Sequence, residues 1–467
     1  MDTKKELITN TLIIFIGKVF TQMLSFLLLP LYTAYLSTEE YGTVDMFLSL
    51  ASLLAPIIIL QLDLGLFRVL IEARGNRKES KETTVNVYIF SVFLVAMFDV
   101  IYIIVTSVLR VQNREIVLLY INGLIFLNLV LQYFRGIGDN VFYSVLCCCN
   151  GFLTIMFNIL FVAVLQMGIA GMLGAYAVGE FITICVGAIK IVISNKGVKI
   201  KFNFIRIKDI LGYSIPLIFN GISWWVMNLS DRLIISYFMG ISHNGIYAVS
   251  NKFSAAMFSL YSIFNLAWQE TVTSKLINNK ITEEIKKINE FICEALLYIS
   301  ALLLAIMFII FPCLVDGNYA EGYNYVPILI LAVYFNCLGA QVGGILVALK
   351  DSKNIAKTSA LGAISNIVIN ILCINYLGLY AAALSTLMAY LIMFVVRAHR
   401  VNRLMRFTLR NYCVPGIMLF VCFVVYYSDN ILIKSVNLLG VLVCVIVRYK
   451  DLILECGRKV INYFKRG

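Results

Sequence analysis

The chain alternates long apolar runs with short polar connections. Apolar runs cover about 8–35, 43–69, 85–109, 116–134, 141–165, 169–194, 211–239, 245–269, 289–315, 325–349, 355–376, 378–397, 411–428 and 431–448. A hydrocarbon core about 30 Å thick needs about 20 residues of helix to cross it. Each run therefore predicts one membrane-spanning helix, about 14 in total. Strands of a transmembrane barrel would be about 10 residues long and alternate with period two. These runs do neither, so the predicted fold is all-α and polytopic.

The polar connections carry an asymmetry. With the amino terminus placed in the cytoplasm, 32 of the 38 Lys and Arg fall in the inner connections. Arg110, Arg114 and Lys434 fall in the outer ones, and Lys18, Arg232 and Lys252 lie inside the apolar runs. An excess of Lys and Arg marks the cytoplasmic face, so both termini are expected there. The first apolar run continues through Leu27-Leu28-Leu29-Pro30-Leu31 with no small-x-small cleavage pattern. It is expected to be a retained helix rather than a cleaved signal.

Composition narrows the class. The chain is 61% hydrophobic and 14% charged, against about 45–50% and about 25% in soluble domains. The net charge of +12 lies in connections beside an anionic leaflet, so phospholipid explains it and no nucleic acid is expected as a partner. The 12 cysteines lie almost entirely within the apolar runs, where Cys behaves as a small hydrophobe. His243 and His399 fall at opposite expected faces. No metal site, cofactor or catalytic set is indicated.

Two stretches repeat. Leu36-Ser37 followed by Tyr41-Gly42 resembles Gly240-Ile241-Ser242 followed by Asn244-Gly245-Ile246-Tyr247, with the glycines 203 residues apart. Gly168-Ile169-Ala170-Gly171 resembles Gly378-Leu379-Tyr380-Ala381 at a spacing of 210. A diverged duplication follows: a six-helix lobe over 1–209, a second over 210–410, and two extra helices with a basic tail over 411–467. Six helices is an even number, so the lobes would be related by an axis along the membrane normal.

These motifs, with Leu28-Leu29-Pro30-Leu31-Tyr32-Thr33, Tyr213-Ser214-Ile215-Pro216-Leu217, Trp224-Trp225, Asp231-Arg232, Asn251-Lys252, Tyr319-Ala320, Val326-Pro327-Ile328-Leu329 and Asn366-Ile367-Val368-Ile369-Asn370, carry a resemblance over about 8–400. The chain resembles the multidrug/oligosaccharidyl-lipid/polysaccharide exporter (MOP) superfamily. Within it, the nearest likeness is to the polysaccharide transporters, the O-antigen and capsule flippases of Wzx type. The resemblance implies a transporter rather than an enzyme, in the bacterial inner membrane. Its substrate would be an undecaprenyl-diphosphate-linked oligosaccharide, moved from the inner to the outer leaflet, with a polysaccharide polymerase or glycosyltransferases as possible partners. A cation-coupled drug exporter of the same superfamily is the alternative. A membrane polysaccharide polymerase is a more distant one, since no large external loop is present.

The charges inside the runs are the candidate chemistry. A charge at mid-bilayer costs about 2.5–3.5 kcal/mol on insertion scales and usually faces a protein interior or a wet cavity. Lys18 shares a helix face with Gln22. Arg68, Lys18, Arg232 and Lys252 are expected to form a ladder of cations for a diphosphate headgroup, with Gln22 beside it. The alternative is local pairing, of Arg68 with Asp63 and of Lys252 with Asp231, in place of a free ladder. Glu180, Asp63 and Asp231 are the candidates for coupling to H⁺ or Na⁺. Arg135 is expected to be an ordinary loop charge. Asp99 is a further in-span acid, and Glu294 is expected to be solvated near the inner end.

Overall fold

The computed structural model describes residues 26–74, 76–194, 202–275, 283–349, 351–401 and 413–464. All described secondary structure is helical. Eleven of the helices are long and apolar enough to cross a membrane. The elements are Leu29–Tyr35 (α1), Thr38–Ile58 (α2), Leu62–Glu72 (α3), Arg77–Leu109 (α4), Arg114–Ile137 (α5), Asn140–Asn158 (α6), Gly168–Ser194 (α7) and Phe204–Phe238 (α8). They continue as Ile241–Lys275 (α9), Glu283–Leu314 (α10), Val326–Ala348 (α11), Ser352–Leu377 (α12), Leu379–Val401 (α13), Cys413–Tyr426 (α14) and Ile431–Phe464 (α15). The chain is a multi-pass membrane protein, and side chains such as Val108, Phe152 and Val447 stand on its outer surface where lipid would cover them.

One expected span is broken. The run 43–69 forms α2 and α3 rather than one helix. Pro56 lies inside α2 and cannot donate to the preceding turn. Leu60 and Gln61 then take positive φ values of 52° and 57°. Left-handed backbone without glycine costs about 1–3 kcal/mol per residue. Packing holds the break in place, since Ile59, Leu62 and Leu66 on either side of it are fully enclosed.

Helices α2, α3, α5, α6 and α7 pack on one another, and α8, α9, α11, α12 and α13 form a second packed set. The sets meet where α2 lies along α9 and where α2 and α3 face α8. Helices α14 and α15 pack against α10.

Two ends of the molecule differ in chemistry. At one, ion pairs and hydrogen bonds tie the basic connections together. Arg74 donates to the carbonyls of Gly136 (2.9 Å) and Arg135 (3.1 Å), Lys190 pairs with Asp139 at 2.8 Å, and Arg206 pairs with Glu82 at 3.3 Å. This is the basic end.

The opposite end is built from small residues and tyrosines. A capping box opens α2: Ser37 Oγ accepts from the Glu40 N–H at 3.2 Å, and Glu40 Oε2 accepts from the Ser37 N–H at 2.9 Å. That arrangement satisfies two amides at the helix start. Tyr319, fully buried, donates to the Leu36 carbonyl at 2.9 Å. Here α2 and α9 approach backbone to backbone. A Cβ on Gly42 would collide with the Ile241 carbonyl and stand 2.7 Å from the Gly245 nitrogen. A Cβ on Gly245 would collide with the Thr38 carbonyl and stand 3.1 Å from the Gly42 nitrogen. Asn244 Nδ2 donates to the Gly42 carbonyl at 2.8 Å, and the hydroxyls of Thr38 and Ser242 lie 2.5 Å apart.

Candidate functional site

The charged groups of interest converge where α2, α8 and α9 meet. One turn into the interior from Gly42, α2 carries Asp45. Its Oδ2 lies 3.2 Å from Arg232 Nε on α8. Arg232 is 7% exposed, donates from Nη1 to the Asn228 carbonyl at 2.9 Å, and lies over the Tyr247 ring at 5.9 Å. Lys252, two turns along α9 from Gly245, lies within electrostatic reach of both Asp45 and Arg232. It makes no hydrogen bond or ion pair with any described residue. Lys252 thus stands without a carboxylate of its own at the junction of the two helix sets, while Arg232 lies within electrostatic reach of both Asp45 and Asp231. Asp45 escaped the sequence reading because it stands close to the amino-terminal end of its run, where acids are ordinary. Only the fold puts it opposite an Arg 187 residues away.

Asp231 does not pair with Lys252, so local pairing does not account for that lysine. Asp231 is 2% exposed and points into the second helix set. Asn370 Nδ2 donates to its Oδ1 at 2.9 Å, and Thr386 Oγ1 and Tyr247 Oη donate to its Oδ2 at 2.7 and 2.9 Å. Asn366 Nδ2 donates to Thr386 Oγ1 at 3.2 Å, and Ser230 Oγ donates to Asn366 Oδ1 at 3.1 Å. Asn370 Oδ1 is buried with no hydrogen-bond partner. Consecutive residues on α8 thus point opposite ways: Arg232 toward the first set, Asp231 into its own.

Arg68 pairs with Glu72 one turn on, at 2.9 Å, and stacks on Tyr213 at 4.1 Å. Asp63 is not its partner; Asp63 Oδ1 is buried without one. Asp63 follows Gln61 closely, whereas Arg68 lies about two turns on, toward the basic end. There it lines a cavity of about 470 Å³ between α3 and α8, shared with Arg206, Glu72, Glu79 and Asp209. The charge in that cavity is mixed rather than purely cationic. A second cavity of about 290 Å³ lies deeper along the same two helices, bounded by Gln61, Leu64, Trp224, Met227 and Ser359.

Glu180 is 4% exposed. Its Oε2 has no hydrogen-bond partner and occupies the space that a Cβ on Gly123 would need, 2.5 Å away. Asp99 accepts both hydrogen bonds of Asn122 Nδ2, at 3.2 and 3.0 Å. Arg135 stacks on Phe67 at 4.6 Å. Glu294 is not solvated: it is 7% exposed and accepts a bidentate pair from Arg448 Nε and Nη2 at 2.5 and 2.8 Å. Arg448 comes from α15, which no spacing in the sequence joins to α10. Lys18 and Gln22 lie outside the described residues.

The chain is 21% identical over 428 residues to an uncharacterized membrane protein of Methanocaldococcus jannaschii, covering 85% of this chain and 99% of that one. The fold is that of the lipid II flippase MurJ in an inward closed conformation, with a TM-score of 0.66, 14% identity, and coverage of 96% of this chain and 100% of that one. It is also that of an inward-facing multidrug resistance MATE family transporter of the MOP superfamily, with a TM-score of 0.58, 16% identity, and coverage of 82% and 95%. A profile described as polysaccharide biosynthesis protein matches residues 7–268, more than half of the 467 residues. The chain belongs to the polysaccharide biosynthesis protein family.

Proposed function

We propose that this protein is a flippase for an anionic lipid-linked oligosaccharide, of the undecaprenyl-diphosphate class. The substrate moves from the cytoplasmic to the outer leaflet by alternating access between two six-helix lobes, over 1–209 and 210–410. The observation that carries this reading is Lys252, unpaired among the described residues, beside the Arg232–Asp45 pair at the junction of the helix sets. A cation held there without its own carboxylate suits a phosphate. Arg offers a bidentate fork and Lys a point charge. The cavities lined by Arg68 and Gln61 lead from the basic end toward this junction. In the oriented protein the basic end faces the cytoplasm, and the Gly42–Gly245 contact closes the outer side.

The conformation has the pattern of a loading state. The end of α2 and α9 is sealed by backbone contact, while α3 and α8 leave space between them. The lipid tail would stay in the bilayer as the headgroup passes. Lys18 and Gln22, on the same face of the first helix, complete the cation ladder in this reading.

Asp231 is the coupling site we favour. Asp231 is held by the Asn370 amide nitrogen and the Thr386 hydroxyl, and Asn370 Oδ1 on the same side chain is buried without a partner. Hard cations are bound by oxygen ligands, so Na⁺ is the fitting ion. Glu180, enclosed against Gly123, and Asp63 are the alternatives, both suited to H⁺.

The test is flipping of defined undecaprenyl-diphosphate sugars in proteoliposomes. Charge-assisted contacts are worth about 1.5–3 kcal/mol, so Lys18→Ala, Arg232→Ala and Lys252→Ala should each slow flipping by about tenfold or more. Wild-type rates in all three would overturn the proposal. Equal transport of a lipid monophosphate would overturn the assignment of the headgroup. Equal export of a cationic drug would favour the exporter alternative.

A further inference from the structure

Arg397 belongs by sequence with the loop charges after the twelfth expected span, yet it is only 6% exposed. It reaches from α13 into a slot between α11 and α12. Its Nε donates to Thr358 Oγ1 at 3.0 Å, Nη1 to the Gly339 carbonyl at 2.9 Å, and Nη2 to Ser359 Oγ at 2.9 Å. The slot exists because Gly343 has no side chain; a Cβ there would stand 3.1 Å from Nη1. Among the described residues no carboxylate pairs with Arg397. A guanidinium does not deprotonate in proteins, and a buried charge without a counter-ion is costly. Neutral acceptors hold this group in place, but they leave its charge intact.

The two hydroxyls it touches differ. Thr358 both accepts from Arg397 and donates to the carbonyl of Asn354 at 2.8 Å, so its hydroxyl is fully used. Ser359 accepts from Arg397 and has no recorded acceptor for its own O–H among the described residues. Ser359 also forms part of the wall of the 290 Å³ cavity. A hydroxyl whose oxygen already accepts from a cation is left to donate on its other side. That side is the cavity. Across it stands Gln61, held at the left-handed break between α2 and α3, its Nε2 packed where Gly221 lacks a side chain. The cavity thus joins a hydroxyl donor, an amide and an uncancelled positive charge one residue behind the wall.

We propose that Ser359, backed by Arg397, is an anion subsite that takes phosphate oxygens. Resting on the flippase reading, it is a station for the diphosphate of the lipid between the Arg68 cavity and the Arg232–Lys252 junction. Ser359 touches the anion, and Arg397 positions and polarises it.

The full-length protein in nanodiscs of neutral lipid would be titrated with undecaprenyl diphosphate, undecaprenyl monophosphate and inorganic pyrophosphate. Ser359→Ala is expected to weaken binding of the diphosphate lipid by about three- to tenfold, and Arg397→Gln by about ten- to hundredfold, with Arg397→Lys between them. Ser359→Ala should leave the thermal unfolding midpoint unchanged, which separates lost binding from lost fold. Undiminished affinity for the diphosphate lipid in both Ser359→Ala and Arg397→Gln would overturn the subsite while leaving the flippase reading standing. A wild-type protein that ignores both lipids but binds inorganic pyrophosphate through Ser359 would overturn the flippase reading and keep the subsite, with free phosphate as its ligand. Binding of neither lipid nor pyrophosphate would overturn both.

Discussion

Gly42 and Gly245, 203 residues apart, face each other so that the carbonyl one turn before each glycine occupies the place of the other's missing side chain. The relation is reciprocal: Gly42 meets Ile241 and Gly245 meets Thr38, and Ile241 stands 203 residues after Thr38 as Gly245 does after Gly42. An isologous contact of this kind is what a two-fold axis generates. Here it would relate the two halves of one chain. The spacing of the glycines and the fit of their backbones are independent observations that point to the same duplication.

The contact is a gate in the proposed cycle, and it should tolerate no side chain. Gly42→Leu or Gly245→Leu should force α2 and α9 apart and bias the protein toward the state open at this end. Spin-label distances between the two helices should lengthen in either variant. Unchanged distances would show that the contact is not a point of separation.

Thr38 and Ser242, whose hydroxyls are 2.5 Å apart, offer the converse test. Oxidation of a Thr38→Cys/Ser242→Cys variant should join the helices, stop flipping, and release it again on reduction. Mass spectrometry would identify the bond. Continued flipping with the bond intact would show that these ends need not part.

Asp45 should be replaceable by substrate. Removing one partner of a buried ion pair costs about 3–5 kcal/mol, because the other charge is left unpaired. Asp45→Ala should therefore lower the unfolding midpoint, and undecaprenyl diphosphate should restore more of it than in wild type. A variant that is destabilised but gains nothing from the lipid would assign Asp45 a structural role only.

Asp231→Asn should abolish any Na⁺ dependence of flipping while keeping the hydrogen bonds to Thr386 and Tyr247 partly intact. Lys252→Ala should instead slow flipping at every Na⁺ concentration. A Na⁺ response that survives Asp231→Asn would move the coupling site to Glu180 or Asp63.

The pair between Arg448 and Glu294 predicts an asymmetry. Glu294 has a side chain 9% exposed and Arg448 one 55% exposed. Arg448→Ala strands a buried carboxylate, at about 1–3 kcal/mol or more. Glu294→Ala frees an arginine that reaches water. Thermal unfolding of the two variants should rank Arg448→Ala as the less stable; the reverse order would contradict the burial argument.

The all-helical, polytopic class was legible in sequence because it follows from one-dimensional properties, although eleven span-length helices are described where about 14 were expected. A bilayer has a fixed thickness and a charged surface, so run length and Lys/Arg placement report directly on spans and faces. Even the reciprocal gate left a trace in the repeated glycines. The break at Leu60–Gln61 did not, because Pro56 lies inside a helix that continues past it, and only packing holds the left-handed turn. Partners of charges were the least legible. Unpaired cations were expected, with Asp63 for Arg68 and Asp231 for Lys252 as the alternative; neither of those pairs forms, yet Arg68 and Arg232 each hold another carboxylate. Glu72 holds Arg68, Asp45 holds Arg232, and Arg448 holds Glu294. Two of those three partners come from distant helices. Electrostatic energy depends on distance in space and falls within a few ångströms, whereas sequence records only order along the chain. The sequence by itself placed cations within the apolar runs of this membrane protein; which of them pair with a carboxylate was decided by how the helices pack.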